Sequence, residues 1–359
     1  MLVLCFIYLS GRYCISDGIT SETIGVIVND NDHLSKMVAD YYVKSRGISD
    51  ANVLHLKFTA TDDNIPKDEF IAIKKSVDDY FSDKVQAYVL TWSSPYKVDC
   101  MSITSAFALG FDNGYCALGC KSTNKSLYFN AIGNTPFNDY GIRPTMMLAG
   151  YDFSTVKLLI DRGVGADYSR HKGVSYLLNT NDKSRNIRSK EYSRIAEDFN
   201  SVIDVRLVNK NSIEFQSNIL FYFTGSKKVV NIERNDFLPG AIADHLTSFG
   251  GVLFDDHQMS ILDWIAAGVT GTYGTVSEPC NFKEKFPDPY VVMFNYLNGD
   301  TLIESYWKSV EMPGQGLFVG EPLSSPYKGC SLNVNSFGEY EFNNQIAENY
   351  VLRSSALCN

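Results

Sequence analysis

The feature that most constrains the fold is an alternation of short apolar runs with amphipathic segments. IGVIVND (24–30) is rich in β-branched residues and ends in turn residues. The segment 33–48 then places apolar residues at helical spacing, and Gly47 is suited to end a helix. NVLHLKF and QAYVLTW repeat the strand pattern, with DEFIAIKKSVDDYF as a helix between them. This order with short connections predicts right-handed crossovers and a parallel sheet.

The alternation resumes after residue 143 and continues to about residue 320. The strand pattern is found in PTMMLAG, GVSYLLNT, IDVRLVN, ILFYFTG, GGVLFDD, GVTGTYGTV and GLFVGEP. Helices are predicted for FSTVKLLIDRGVGAD, RSKEYSRIAEDFN, PGAIADHLTSF and MSILDWIAA. Two further helices follow within 286–310, separated at Asn298-Gly299, with Asp300 or Thr301 as the cap of the second. The fold class is therefore α/β, a mainly parallel sheet flanked by helices.

At 359 residues the chain is long enough for two α/β lobes or for one large sheet built in two halves. The predicted units are a Rossmann-like N-terminal α/β lobe over 21–98, an irregular insertion over 99–143, a second α/β lobe over 144–328 and a C-terminal extension over 329–359. Residues 1–20 contain LVLCFIYL, which is too short to span a bilayer. This stretch is either the apolar core of a leader or a frayed first strand, and no transmembrane segment is predicted.

Composition argues against several classes of partner and cofactor. The formal net charge is -9, and no basic run occurs, which argues against nucleic acid and anionic membranes as partners. Neither common type of phosphate-binding glycine loop nor an HExxH motif is found, so no cofactor is predicted. The eight cysteines show no zinc-binding pattern, so no metal is predicted. A disulfide among Cys100, Cys116 and Cys120 is expected if the protein is exported, and buried thiols if it is cytoplasmic.

Candidate site residues follow from the rule that ligands bind beyond the carboxyl ends of parallel strands. If the last strands are neighbours, hydroxyl, carboxylate, imidazole and thiol groups converge at one edge of the sheet. The predicted catalytic residues are Asp255, Asp256, His257 and Cys280. The predicted ligand-binding residues are Asp30, Ser93, Ser94, Thr224, Ser226, Glu278, Asn281 and Glu321.

Each catalytic candidate also has a structural interpretation. The pair Asp255-Asp256 can supply a general base, but such a pair more often caps the helix that follows. His257 can orient or deprotonate Cys280, or it can be an exposed histidine without a role. Cys280 is a candidate nucleophile, with a structural thiol or a disulfide partner as the alternative. His245 is predicted on a helix, as a packed residue. NDNDH (29–33) is a turn and helix cap rather than a calcium loop.

Much of residues 24–327 resembles a family of bacterial proteins of unassigned activity. The segments that carry this resemblance include VNDNDHLSKMVADYYVKSRGI, LTWSSPYKVDCMSITSAFALGFD, FLPGAIADHLTSFGGVL and GTYGTVSEPCNFKEKFPDP. Membership brings no proven reaction with it. Such proteins often look exported, so an exported location is favoured over the cytoplasm.

Residues 170–325 are also similar, more remotely, to the caspase-like peptidase fold in its gingipain-type and CHAT-domain branches. The resemblance rests on ILFYFTGS, PGAIADHLTSF, GGVLFDD, MSILDWIAAG, VTGTYGTV, YLNGDTLIESYWKS and GLFVGEPL in that order. It implies a caspase-like second lobe with its pocket at the strand ends. Where that fold carries its catalytic His-Gly, this chain has Thr224-Gly225. Where the fold carries its nucleophilic cysteine, this alignment places Asp255 or Asp256, so the thiol–imidazole mechanism is lost.

Three functions follow from these observations. The first is a noncatalytic or regulatory protein of caspase-like fold that binds a peptide, protein or glycan at the strand ends. The second is a hydrolase that uses Asp255 or Asp256 with Cys280 or a bound metal. The third is a nucleotide- or sugar-binding α/β protein, which rests on fold analogy alone. A deep pocket lined by Trp92, Tyr96, Phe111 and Tyr273 would favour a peptide or glycan ligand.

Overall fold

The computed structural model describes residues 18–59, 63–117, 119–255, 257–336 and 338–343. Its first part follows the predicted alternation. The strands are β1 (Ile24–Asn29), β2 (Val53–Leu56), β3 (Ala87–Leu90), β4 (Lys97–Val98), β5 (Met101–Ser102) and β6 (Thr145–Met147). The helices are α1 (His33–Arg46), α2 (Lys67–Tyr80), α3 (Ile103–Leu109) and α4 (Pro136–Tyr140). The insertion therefore contains ordered elements, a small hairpin formed by β4 and β5 and two short helices.

The second part begins with a helix that leads into a further series of strands. The helices are α5 (Phe153–Ala166), α6 (Tyr192–Phe199), α7 (Leu262–Ala266), α8 (Pro289–Leu297) and α9 (Leu302–Trp307). The strands are β7 (Val174–Leu178), β8 (Asp204–Val208), β9 (Ile219–Gly225), β10 (Phe237–Leu246), β11 (Gly271–Thr275), β12 (Gly316–Gly320), β13 (Leu332–Val334) and β14 (Tyr340–Phe342). Strands β13 and β14 form a separate hairpin in the C-terminal extension.

In the described part of the chain, ten strands form one sheet in the order β2-β1-β3-β6-β12-β11-β10-β9-β7-β8. Every neighbouring pair is parallel except β11 and β12, which are antiparallel. The α/β prediction is confirmed, and the strands of both predicted lobes lie in a single sheet. We call β2, β1, β3, β6 and β12 the first half-sheet and β11, β10, β9, β7 and β8 the second half-sheet.

Local sequence explains several helix ends. The side chain of Asp32 accepts a hydrogen bond from the backbone N–H of Leu34 and caps α1, as expected for NDNDH. Gly47 ends that helix in the left-handed conformation, with φ of 64°. Thr301 and Glu304 form a capping box at the start of α9, which confirms Thr301 as the cap after the break at Asn298-Gly299.

Two of the predicted elements around residue 245 are wrong. Residues 239–249, predicted as a helix, mostly belong to strand β10, and 250–255, predicted as a strand, form a turn segment. β10 is paired on both sides and buried, so its apolar residues are nearly continuous and no period of two is visible. Gly251 packs directly on β11, where a Cβ atom would lie 2.4 Å from the carbonyl oxygen of Gly274. Both glycines of the segment lie in this turn rather than in a strand.

Each half-sheet contains one reversal of strand order. In the first half-sheet, β2 and β3 lie on either side of β1, so the chain changes direction between β1 and β3. In the second half-sheet, β8 and β9 lie on either side of β7, so the reversal lies between β7 and β9. At such a reversal the connecting segments diverge and leave a crevice beyond the carboxyl ends of the strands. We call these places the first crevice and the second crevice.

Candidate functional site

The first crevice holds an open cavity of about 490 Å³. Connections that follow β1, β2 and β3 supply most of its wall, and one residue comes from the second half of the chain. The lining residues are Asn31, Asp32, His33, Leu34, Thr59, Ser93, Ser94 and Phe254. The position agrees with the general rule for ligand sites in open α/β sheets. Six of the eight described lining residues are polar, and Leu34 and Phe254 supply the apolar surface of the cavity.

The backbone of the first crevice is held by a small set of buried polar contacts. The side-chain amide of Asn29 donates to the carbonyl oxygen of Phe58 at 3.1 Å, and its oxygen accepts from the backbone N–H of Asn31 at 3.1 Å. Ser93 Oγ donates to the carbonyl oxygen of Gly150 at 3.0 Å. These bonds join the connection after β1 to that after β2, and the connection after β3 to that after β6.

Phe254 reaches the first crevice from a loop of the second half-sheet. This loop, residues 247–261, leaves the end of β10, and the backbone N–H of Gly251 donates to the carbonyl oxygen of Thr275 at 3.0 Å. Its return is tied to its start, because Thr247 Oγ1 donates to Gln258 Oε1 at 2.6 Å. The ring of Phe254, between these two anchors, is 52% exposed. An aromatic ring is thus held at the cavity mouth with half of its surface available to a ligand.

The second crevice is filled by the chain itself. The connection that follows β7 covers the ends of β9 and β10: Thr180 Oγ1 donates to the carbonyl oxygen of Gly225 at 2.6 Å, and Arg185 Nε donates to Thr247 Oγ1 at 2.9 Å. A Cβ atom on Gly225 would lie 2.0 Å from the carbonyl oxygen of Arg185, so only glycine permits this approach. The space that a ligand would occupy is taken by residues 180–191.

A buried ion pair lies beneath this covering segment. Arg188 contacts the carboxylate of Asp244 and donates to the carbonyl oxygen of Thr224 at 2.8 Å, and both charged side chains are almost fully buried. Burial lowers the pKa of Arg188, but Asp244 together with Tyr192 and Tyr306 raises it by more, so the net shift is upward. Thr224 Oγ1 is itself buried and forms no hydrogen bond with any described residue. The Arg188–Asp244 pair therefore serves an internal contact.

His245 lies in β10, in register with Thr224, and not on a helix as predicted. Both of its ring nitrogens are used: Nδ1 accepts from Trp264 Nε1 at 2.9 Å, and Nε2 lies 3.0 Å from the carbonyl oxygen of Met259. This arrangement assigns the ring hydrogen to Nε2. Burial lowers the pKa of His245 to about 4, so the ring is neutral near pH 7. His245 is a packed residue, as expected, and it lies at the same edge of the sheet as Thr224.

Cys280 forms a disulfide with Cys120, and Cys100 forms one with Cys116. The role of Cys280 as a nucleophile requires a free thiol, which this disulfide removes, so its alternative as a disulfide partner is the one observed. The expected bridge among Cys100, Cys116 and Cys120 is present as Cys100–Cys116. Cys120–Cys280 ties the insertion to the segment that follows β11, and Cys100–Cys116 closes a loop within the insertion. They fit an oxidising, exported location.

The predicted ligand-binding residues are divided between the two edges of the sheet. Ser93 and Ser94 line the cavity of the first crevice, with Asp30 nearby, where it pairs with His55. Glu321 follows β12, away from this cavity, and is buried in an ion pair with Arg46 at the end of α1. The expectation that Glu321 joins Thr224 and Cys280 at one edge is wrong, because β12 runs antiparallel to β11.

Thr224, Ser226 and Glu278 lie at the edge of the second crevice. Ser226 Oγ donates to the carbonyl oxygen of Lys228 at 2.8 Å within a turn. Glu278 Oε1 accepts from Ser248 Oγ at 3.1 Å and from the backbone N–H of Cys280 at 2.7 Å. Asn281 follows the disulfide and is exposed. These contacts close the ends of β9, β10 and β11 rather than open a pocket there.

The acidic candidates belong to the loop that carries Phe254. Asp255 Oδ1 accepts from the backbone N–H of His257 at 2.9 Å and also contacts the imidazole ring. Asp255 does not end a strand as predicted. Burial, with the carboxylates of Asp63 and Asp255, raises the pKa of Tyr96, which places Asp255 beside the first half-sheet. Asp256 lies outside the described residues.

The aromatic residues expected to line a pocket belong mainly to the core. Trp92, Tyr96 and Tyr273 are fully buried, and Phe111 packs beneath the ammonium group of Lys67 at 4.7 Å from the ring centroid. The ring that does face a cavity, Phe254, was hidden from sequence analysis because its segment has the pattern of a strand. The sequence does indicate the position of Asn31, Asp32 and His33, since they follow the first strand directly. The pattern NDNDH predicts a turn and a helix cap there, and the three residues also line the cavity.

No family model and no curated protein matches the chain. A solved structure described as "Structure of Protease" is similar over 89% of this chain and 82% of its own, with a TM-score of 0.44 and 11% sequence identity. A likeness of this strength carries no function over to the chain. Among the described residues, no helix has the length and apolar character needed to cross a membrane. Those residues also include no cluster of three or more histidine, cysteine or acidic side chains arranged to hold a metal.

Proposed function

We propose that this protein is a noncatalytic binding protein that holds a small polar ligand in the first crevice. The observation that carries the proposal is the open cavity of about 490 Å³, lined by residues of four connections. Its volume lies within the range of about 300–1,000 Å³ that small-molecule sites occupy. Hydrogen bonds of Asn29 and Ser93 hold the backbone connections of the wall together.

The resemblance to the caspase-like fold supports the noncatalytic part of the proposal. That fold places a His-Gly pair after one strand and a cysteine after the next. Here β9 ends in Thr224-Gly225, and the next strand is β10, so the position of the cysteine falls on Thr247 rather than on Asp255. A threonine at each position supplies neither thiol nor imidazole. The nearest imidazole, that of His245, has both nitrogens engaged.

The alternative of a hydrolase is less well supported by the geometry. It needs a nucleophile or a metal beside Asp255, but Cys280 is in a disulfide. The described residues also include no group of three or more histidine, cysteine or acidic side chains placed to bind a metal ion. The pair formed by Asp255 and His257 is strongly exposed, with 84% of the histidine side chain accessible. An exposed pair of this kind lacks the desolvated surroundings that tune catalytic groups.

The proposal is tested by replacing Phe254, whose half-exposed ring lines the cavity. Ligand-observed NMR would screen wild type and Phe254→Ala against amino acids, dipeptides, nucleosides and neutral and charged saccharides. Phe215→Ala is the matched control, because Phe215 is also exposed, at 72%, and lies outside the cavity lining. We expect a compound that binds wild type and Phe215→Ala, binds Phe254→Ala at least tenfold more weakly, and is recovered unchanged after long incubation.

Two results would contradict the proposal. One is that every compound that binds does so equally to wild type and Phe254→Ala, or that none binds. The other is that mass spectrometry shows a bound compound converted into a product by wild type.

A further inference from the structure

The described lining of the cavity carries one carboxylate and no cationic side chain of lysine or arginine. An anionic ligand therefore finds no such side chain there. Asp32 is the lining carboxylate, and it sits at the N-terminus of the helix His33–Arg46, whose dipole offsets part of its charge. One oxygen of that carboxylate already accepts the backbone N–H of Leu34 at 2.9 Å. These features argue against an anionic ligand, and the partial offset of the Asp32 charge leaves a neutral ligand suited to the site.

The cavity presents hydrogen-bonding groups of both kinds. Within the described chain, five side-chain groups of the lining form no hydrogen bond: Asn31 Oδ1, the second carboxylate oxygen of Asp32, the ring of His33, Thr59 Oγ1 and Ser94 Oγ. Carboxylate and amide oxygens accept, whereas hydroxyl groups donate and accept. A ligand that matches this set carries several hydroxyl groups, each of which both donates and accepts.

The aromatic ring adds an apolar surface to this polar site. Phe254 and Leu34 are the apolar members of the lining, and the Phe254 ring is 52% exposed at the mouth. A pyranose ring combines hydroxyl groups around its rim with an apolar face of C–H groups, so it can bond to the polar wall and pack on the phenyl ring. An aromatic side chain contributes its surface most strongly where a ligand covers it.

A peptide fits the same site less well. Peptides commonly bind α/β and β proteins by adding a strand to a free sheet edge. β1 and β3, which end at the cavity, are both paired on their two sides, and the free edge of β2 faces away from β1 and from the cavity between β1 and β3. The wall also lacks a second large apolar group to hold a side chain beyond Phe254 and Leu34.

We infer that the ligand of the first crevice is a neutral carbohydrate of one or two sugar units, held by the polar groups of residues 31–33, 59 and 94 and stacked on Phe254. This inference rests on the proposed function, since it names the ligand class of the same site.

The test uses the full chain and saturation-transfer NMR. The probes are maltose, cellobiose and N,N′-diacetylchitobiose as neutral sugars, glucuronic acid as an anion, glucosamine as a cation, and a set of uncharged capped dipeptides. An array of neutral oligosaccharides extends the first group. We expect at least one neutral saccharide to bind, with at least tenfold weaker binding in Phe254→Ala and in Asp32→Asn. Asparagine retains the helix cap, so Asp32→Asn should keep its circular dichroism unchanged while losing a carboxylate acceptor.

The outcomes separate this inference from the proposed function. If only capped dipeptides or charged sugars bind, and binding depends on Phe254, the carbohydrate inference is wrong and the binding function stands. If no neutral saccharide on the array binds, the inference is likewise overturned. If nothing bound depends on Phe254, both fail.

Discussion

The two crevices of this sheet occupy equivalent places in their half-sheets and yet differ in what fills them. The first, between the ends of β1 and β3, is an open cavity with polar groups facing solvent. The second, between the ends of β7 and β9, is covered by residues 180–191 and sealed by Arg185 and Arg188. Topology alone therefore nominates two sites, and side-chain packing leaves one of them available.

The energetic roles of the polar groups differ in the same way. In the second crevice, charges are buried and each depends on its partner, so loss of one partner leaves an uncompensated charge in the core. In the first crevice, the charged group that lines the wall, Asp32, is partly exposed and its replacement leaves no buried charge behind. Substitutions in the second crevice should therefore lower stability, whereas those in the first should mainly lower binding.

The largest expected effect comes from the buried pair of Arg188 and Asp244, whose side chains are 4% and 2% exposed. Arg188→Met leaves the Asp244 carboxylate unpaired, and we expect the free energy of unfolding to fall by about 3–5 kcal/mol. Urea denaturation followed by circular dichroism measures this loss. Asp32→Asn in the first crevice is the control, with an expected change within about 0.5 kcal/mol.

A double variant separates charge from packing in this experiment. Arg188→Met combined with Asp244→Leu removes both charges, and it should recover part of the lost stability. Equal losses for Arg188→Met and Asp32→Asn would show that the two crevices do not differ in the way proposed here.

The next effect concerns pH and the neutral imidazole of His245. Burial lowers its pKa to about 4, whereas an unfolded histidine has a pKa of about 6.5. Between these two pKa values the histidine is protonated in the unfolded chain and neutral in the folded chain. The contribution of His245 to stability is therefore lost as the pH falls from about 6.5 to about 4. The full loss corresponds to about 3 kcal/mol.

The contribution of His245 is isolated by a difference measurement. The free energies of unfolding of wild type and His245→Gln are compared at pH 7 and pH 4.5, and the wild type should lose more over this interval. An equal loss in the two proteins would mean that His245 takes up a proton while folded, and that the interior of the second crevice is less closed than the contacts of its ring indicate.

Much of the first crevice could be predicted from the sequence. The strands before it, IGVIVND and QAYVLTW, have clear strand patterns in the sequence. Because ligands bind beyond the carboxyl ends of parallel strands, Ser93 and Ser94 follow directly as candidates. Phe254 could not be found in this way. Its loop packs on β11 through Gly251, and no periodic pattern in the sequence indicates that contact. Sequence periodicity identifies residues at the ends of strands. It does not identify a residue that reaches the site from a loop distant in sequence.

The second crevice could be predicted much less well, for three physical reasons. β10 contains Asp244 and His245, whose presence in a buried strand makes sense only beside Arg188 and Trp264, which lie elsewhere in the sequence. The run GLFVG carries no sign of its direction, so the antiparallel placement of β12 and the position of Glu321 remained hidden. The spacing of cysteines does not determine pairing, and Cys120 and Cys280 are 160 residues apart.

The smallest expected effect comes from removing the cover of the second crevice. The Arg185 side chain is 24% exposed and its hydrogen bond to Thr247 is one contact among several, so Arg185→Ala should cost only about 1 kcal/mol. Arg234→Ala, an exposed pair with Glu214, serves as the control for loss of a surface arginine.

Removal of the Arg185 side chain should expose no reactive hydroxyl group in the second crevice. Thr247 and Ser248 then gain access to solvent, but the nearest imidazole, His245, has no nitrogen free to take their proton. A fluorophosphonate probe, followed by mass spectrometry, should therefore leave both hydroxyl groups unlabelled in Arg185→Ala, as in wild type. Labelling of Thr247 or Ser248 in the variant alone would mean that residues 180–191 block a competent active site. The second crevice would then be an active site blocked by residues 180–191, rather than a packed edge of the sheet without a site.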